Sequence, residues 1–270
     1  MSPSIVPTQW DIGGFVVGED ANQASLLAKA PGVLAGVPFV DAVFEVLGCE
    51  VEWQREEGSI ITAEDAAAKL PVAIVTGPTR KLLIGERTAL NILSRCSGVA
   101  TATSAAVELG KAAGWHGSVA GTRKTTPGFG LIEKYGLLVG GGDTHRMDLS
   151  NMVMLKDNHI WATGSITASV EKARAAAGFS TKIEVECTSV QDGVEAAEAG
   201  ADVIMLDNFT AETLPRAAKQ LKDAYPNLII EASGGITVEM LPDFFSEYVD
   251  VISQGALTNG YDTLDFSLKV

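Results

Sequence analysis

The sequence predicts an α/β protein in which a small N-terminal α+β sandwich precedes a barrel of parallel strands. Two observations lead there. Six short apolar runs, Val119–Gly121, Met152–Leu155, Lys182–Val185, Val203–Leu206, Leu228–Ala232 and Val249–Ser253, are separated by segments long enough for helices. That spacing belongs to buried parallel strands with helical crossovers. The region from about Ala24 to Ile84 has a different texture, with short apolar stretches alternating with Gly and Pro turn signals.

Taken in chain order, Pro31-Gly32 precedes the apolar Val33–Gly36, and Phe39–Leu47 reads as a helix. Pro38 stands at its start and Gly48 follows its end, the usual asymmetry of helix termini. Cys49–Trp53 alternates as a strand, Glu57-Gly58 turns, and Val72–Thr76 is a strand ending at Gly77-Pro78. A long helix is expected from Glu86 to about Leu109, with Ala89, Leu90, Leu93, Cys96 and Ala100 near a 3.6-residue period. Gly98 marks a close contact or a break in it. Arg87, Asn91 and Arg95 form a polar stripe on one face, which alone reads equally as a solvated surface. Beyond Ser118, Ile166–Ala177, Val190–Ala199 and Leu214–Tyr225 read as amphipathic helices, the last two followed by Gly200 and Pro226. Leu264–Val270 alternates as a strand that pairs back on the first domain. The expected domains are 1–93 with 262–270, and 94–261.

Thirty-four acidic against twenty basic residues give a formal charge of −14. That balance argues against nucleic acid or a membrane surface as partner. Cys49, Cys96 and Cys187 are too few and too scattered for a disulfide framework or a zinc site, and read as buried hydrophobes. Met1–Trp10 lacks the basic-then-apolar pattern of a secretory signal. The expected location is the cytoplasm, with the nucleus as the other.

Against this acidic background, the predicted strands end on charged or glycine-rich segments. Gly121–Gly128 holds Arg123, Lys124, Thr125 and Thr126. Arginine offers a planar fork to carboxylate or phosphate and lysine a point charge. Gly140–Gly142 leads to His145-Arg146, and Lys156 follows the Met152–Leu155 run. Glu186 and Asp207 end the next two runs. Paired carboxylates at neighbouring strand ends suit magnesium shared with phosphates, or ribose hydroxyls, while pairing with nearby lysines is the purely structural alternative. Ser233-Gly234-Gly235 offers backbone N–H groups at the start of a helical segment, where barrels commonly hold phosphate, and Gly255 has a matching place.

At these residues the sequence resembles quinolinate phosphoribosyltransferase, from about Asp11 to Val270 and with the eukaryotic, fungus-like branch most similar. The likeness is densest at Gly85–Asn91, Gly121–Gly128, Glu133-Lys134-Tyr135, Thr144–Arg146, Met154–Ile160, Glu184–Cys187, Met205–Asn208, Glu231–Ile236 and Asp265–Leu268. The resemblance implies a type II phosphoribosyltransferase fold with an incomplete α/β barrel. It implies transfer of phosphoribose from phosphoribosyl pyrophosphate (PRPP) to quinolinate with loss of carbon dioxide and pyrophosphate. By motif, Arg87, Arg123, His145, Arg146 and Lys156 would bind quinolinate, with Arg87 reaching into a neighbouring subunit's site of a homodimer or higher homo-oligomer. Lys124, Thr125, Glu186, Asp207, Ser233, Gly234, Gly235 and Gly255 would bind PRPP, with Lys124, Glu186 and Asp207 catalytic and Glu186 and Asp207 holding Mg2+. Two departures stand out: only ten residues precede Asp11, and Gly130 occupies a position that is generally basic in the family. A non-decarboxylating nicotinate phosphoribosyltransferase and an inactive dicarboxylate-binding protein are the alternatives.

Overall fold

The structure, a computed structural model, describes residues 11–270; the reading of Met1–Trp10 lies outside them. The chain divides into two compact units. One ends at Gly98 and takes up Asp262–Val270 again; the other is Val99–Tyr261.

The first unit is built on an antiparallel sheet in the order Phe266–Lys269, Ala21–Ala28, Pro71–Pro78, Glu50–Trp53. Pairing of Leu26 with Leu268 brings the end of the chain against its first strand. Ala24, Leu26 and Ala28 are buried with period two, together with Leu268 and Phe266, as a sheet with one covered face requires. Phe44 and Val40 of the helix Val37–Val46 belong to the same core, as do Leu82, Leu90 and Leu93. That helix begins two residues earlier than expected, because the Glu57 carboxylate accepts the N–H groups of Gly36 and Val37 at 2.7 and 3.0 Å. Those donors would otherwise be orphaned at a helix start.

The long helix is Thr79–Ala112, starting seven residues before the expected Glu86. The Gly77-Pro78 signal ends the strand Pro71–Pro78, but no loop follows it. Gly98 does not break the helix, which continues into the second unit.

The second unit holds a six-stranded, wholly parallel sheet. Its order is Ser118–Ala120, Val251–Ser253, Ile229–Ser233, Val203–Asp207, Ile183–Cys187, Val153–Leu155. The first and last of these do not pair, so the barrel is open, the mixed α/β architecture expected. Four strands begin one or two residues later than the apolar runs suggested, so that Met152, Lys182, Leu228 and Val249 fall outside them, while Val203 starts its strand as expected and Ser118 starts one residue early. The core includes Ile183, Val185, Ile204, Leu206, Ile230 and Ile252 beneath Leu214, Ala218 and Leu221 of the helix Leu214–Ala224. Cys49, Cys96 and Cys187 are all buried. Burial pushes the Cys187 thiol up to about 12, which disfavours its thiolate form, as expected of a buried hydrophobe. Among the described residues no helix is long and apolar enough to cross a membrane.

Gly85 gives a test of packing in the first unit. A Cβ there would meet Phe44 Cε1 at 2.7 Å and Leu47 Cδ1 at 2.8 Å. Helix propensity favours Ala over Gly by about 1 kcal/mol, whereas overpacking a core costs roughly 1–3 kcal/mol. Gly85→Ala is therefore expected to lower the denaturant midpoint; an unchanged or higher midpoint would show that Phe44 moves aside freely.

Candidate functional site

All six strands of the parallel sheet run the same way, so their carboxyl ends open on one side. A cavity of about 560 Å3 lies there. It is lined by Arg123, Lys124, His145, Arg146, Lys156, Glu186, Asp207, Ser233, Gly234, Gly235 and Gly255, with Met154, Met205 and Ile236 as apolar wall. Thr125 and Arg87 are not on this wall: Thr125 sits farther along the Arg123 loop, and Arg87 is exposed on the long helix in the other unit.

Strand register sets the acidic side. Asp207 and Ser233 are paired neighbours at the ends of their strands, and Glu186 pairs across from Met205. Lys156 follows the strand Val153–Leu155 at the cap of the helix Asp157–Thr163, and its Nζ forms an ion pair with Glu186 Oε2. The structural alternative for Glu186, a pairing with a local lysine, is thus what the protein alone displays. Burial raises the Asp207 pKa, and the neighbouring Glu186 charge adds to this.

The cations are carried on two loops. Arg123 and Lys124 precede the helix Gly130–Val139, whose first turn holds the fully buried Glu133. The Glu133 carboxylate accepts the Thr126 N–H at 2.8 Å and the Thr126 hydroxyl at 2.7 Å, and Tyr261 donates to it at 2.8 Å. Thr258 donates to the Lys124 carbonyl at 2.7 Å. On the second loop His145 adopts φ 55°, unusual for a residue other than glycine. Burial lowers the Arg146 pKa, and the Arg123 charge lowers it further, as expected when guanidinium groups converge. Lys134 is 2% exposed and donates to the carbonyls of Thr144 and Arg146.

His145 departs from the simple reading of a carboxylate ligand. Its Nε2 lies 3.1 Å from Glu231 Oε2 and 3.6 Å from Glu184 Oε2. The Arg146 N–H meets Nδ1 at 2.8 Å. Both ring nitrogens are thus engaged within the wall in this conformation. Burial lowers the imidazole pKa, but the neighbouring Glu184 and Glu231 carboxylates more than reverse that and push it up to about 10. The Arg146 N–H opposes that rise, because it occupies the lone pair that a second proton would need. Placing the ring proton on Nε2, between the carboxylates, satisfies both contacts.

Glu184 and Glu231 carry no role in the sequence reading. Their signal was visible: each is an acid inside an otherwise apolar strand, two residues before Glu186 and Ser233 respectively. Period two places each on the face of its strand that lines the cavity, one layer deeper. Glu231 Oε1 accepts the Ser253 hydroxyl at 2.6 Å, and Ser253 lies 3.0 Å from the Ser233 hydroxyl. A hydrogen-bonded chain thus runs from His145 to the glycine-rich segment. Both Glu184 oxygens are buried without a hydrogen-bond partner, and burial pushes this carboxyl up to about 7. His145, Glu184 and Glu231 bring their ligand atoms within 4.8 Å of one another, a spacing a metal could use.

The glycine-rich segment departs from expectation in one respect. No helix starts at Gly235; the next one is the short Leu241–Phe244. N–H groups are presented instead by a turn in which Gly234 has φ +102° and Gly235 φ +66°, values that favour glycine. Gly255 opens a single 3-10 turn, and a Cβ on it would lie 3.0 Å from Lys124 Cδ. The Lys124 side chain therefore crosses to this side of the cavity.

Two family profiles cover nearly the whole chain: the quinolinate phosphoribosyl transferase N-terminal domain over residues 12–97 and its C-terminal domain over 99–269. The chain is 54% identical over 256 residues to the carboxylating nicotinate-nucleotide pyrophosphorylase of Homo sapiens, covering 95% of this chain and 84% of that one. It is 47% identical over 271 residues to the protein of that name from Dictyostelium discoideum, covering 97% and 90%. The crystal structure of NadC from Streptococcus pyogenes superposes with a TM-score of 0.86 at 38% identity, over 97% of this chain and 90% of that one. The profiles, the identities and the fold agree, and the chain belongs to the quinolinate phosphoribosyl transferase family.

Proposed function

We infer that this protein carries out its family's reaction as a carboxylating nicotinate-nucleotide pyrophosphorylase. It transfers phosphoribose from PRPP to the ring nitrogen of quinolinate, giving nicotinate mononucleotide, pyrophosphate and carbon dioxide on the route to NAD. The observation that carries the reading is one cavity with guanidinium and ammonium groups, the carboxylates of Glu186, Asp207 and the deeper Glu231, and a glycine turn on its wall. Those are the groups demanded by a dicarboxylate, a ribose and a phosphate ester.

The residue roles follow from position. Arg123, Arg146 and Lys156 face the dicarboxylate, with His145 braced behind Arg146. The backbone N–H groups at Ser233, Gly234, Gly235 and Gly255 take the 5′-phosphate. Lys124 meets the pyrophosphate, and Glu186 and Asp207 face the ribose, where their charge favours the positive character that develops at the anomeric carbon. Clamping the ring aligns its nitrogen for attack, mainly an effect of orientation. Once alkylated, the ring nitrogen accepts the electrons left when the adjacent carboxylate departs, so no protein base is required for that step.

Magnesium fits the Glu186–Asp207 pair, since hard carboxylate oxygens at adjacent strand ends leave the remaining ligands to water and phosphate. Bound there, it would neutralise charge on the leaving pyrophosphate. The functional unit we propose is a homodimer or higher homo-oligomer in which Arg87, exposed on its helix, completes a partner's site.

The primary assay follows carbon dioxide and nicotinate mononucleotide from quinolinate, PRPP and magnesium; faster turnover of nicotinate than of quinolinate would reject the assignment. Arg123→Ala should lower kcat/KM by the equivalent of roughly 2–5 kcal/mol, from loss of a desolvated charged contact. Lys182→Ala, exposed and ahead of its strand, should be nearly silent in the same assay.

Gly234→Ala addresses the phosphate end. A side chain there is strained at φ +102° and would press on the Asn208 backbone nitrogen at 2.7 Å. The KM for PRPP should rise roughly tenfold or more; an unaltered value removes the turn from the site. For the partner contribution, Arg87→Ala and Lys124→Ala chains are each expected to be poorly active alone. Mixing them should restore activity, because one site of each heterodimer is then intact; no recovery would place Arg87 in its own subunit's site.

A further inference from the structure

Glu133 and Lys134 are adjacent in sequence, opposite in charge and buried, at 0% and 2% exposure. Charged side chains are almost never so buried unless their partners justify it. Their partners lie on different loops. Glu133 holds Thr126 through both N–H and hydroxyl, on the loop that carries Arg123 and Lys124. Lys134 holds the carbonyls of Thr144 and Arg146, on either side of His145, on the other loop. One turn of the helix Gly130–Val139 thus braces both cation-bearing arms.

We propose that Glu133 and Lys134 are positioning residues that set the two arms separately, Lys134 the dicarboxylate arm at Arg146 and Glu133 the arm that serves both substrates. The proposal rests on the functional reading above. It follows from the bonding: neither side chain is on the cavity wall, yet each supplies the contacts that fix the backbone beside a residue that is. The charged groups facing Lys134 are Asp143, Arg123 and Arg146. Burial lowers its pKa to about 8, with Asp143 opposing and the two arginines adding to the fall. Below that pH the ammonium adds positive charge behind the clamp; above it, the charge is lost.

The test is steady-state kinetics of the full-length enzyme with each substrate varied in turn, together with melting curves. Lys134→Met should raise the KM for quinolinate roughly tenfold or more while the KM for PRPP stays within about twofold. Glu133→Gln, which removes an acceptor from the arm bearing Arg123 and Lys124, should raise both. Wild-type kcat/KM for quinolinate should fall above about pH 8, and Lys134→Arg, which keeps donors and charge, should abolish that fall with a near-normal KM at pH 7. If Lys134→Met does not fold, the pH profile of Lys134→Arg decides, and a fall above pH 8 that persists in it overturns the proposal. Equal rises in both KM values for Lys134→Met, or none, also overturn it. A wild-type enzyme that makes no nicotinate mononucleotide fails earlier, on the functional reading itself.

Discussion

Parallel pairing is the constraint on which the rest of this structure depends. Because neighbouring strands share a direction, Lys156, Glu186, Asp207 and Ser233 must all emerge on one side of the sheet. Period two then fixes what lies beneath them: Glu184 under Glu186, Glu231 under Ser233. The first layer meets the cavity; of the second, Glu231 reaches the cavity wall while Glu184 is fully buried. Glu231 is satisfied through His145 and Ser253, so a residue that touches neither loop in sequence links the Arg146 arm to the glycine turn. Removing one member of such a network leaves the others unpaired in a poor solvent for charge.

Electrostatics explains why a protein with formal charge −14 needs this support. Arg123, Arg146 and Lys134 lie close enough for the arginines to depress the lysine's pKa. Held together without an anion they repel one another; carbonyls of Thr144 and Arg146, and the acids Asp143, Glu184 and Glu231, offset that repulsion. The arrangement is preorganised: the cost of gathering the cations is met in folding, and a dianion arriving in the cavity meets donors already in place.

How much of this was legible in the sequence depended on what each residue does locally. Lys156, Glu186 and Asp207 were visible because a charge closing an apolar run has few structural explanations. Strand starts were less visible, since Leu228 and Val249 are as apolar as the strand residues that follow but lie outside the strands. The early start of the long helix at Thr79 was hidden by Gly77-Pro78, a strong turn signal that here ends a strand. The glycine-rich turn after the strand Ile229–Ser233 was visible from its glycines but its kind was not, because αL backbone at Gly234 and Gly235 bends the chain away from a helix start. Glu133 and Lys134 appeared only as part of a family likeness. Their hydrogen bonds reach Thr126, Thr144 and Arg146, and pairing at a distance leaves no periodic trace.

The ion pair between Lys156 and Glu186 joins the two halves of the site. On the proposed roles, Lys156 serves the dicarboxylate and Glu186 the ribose, yet in the protein alone each satisfies the other. Lys156 is 44% exposed and Glu186 16%, so the pair is wetted on one side and worth only about 1 kcal/mol or less. A carboxylate taking Lys156, or a ribose and metal taking Glu186, therefore gives up little in replacing it. A stronger, fully buried pair would have opposed both, and a missing pair would have left Glu186 beside Asp207 without the Lys156 charge that offsets their repulsion.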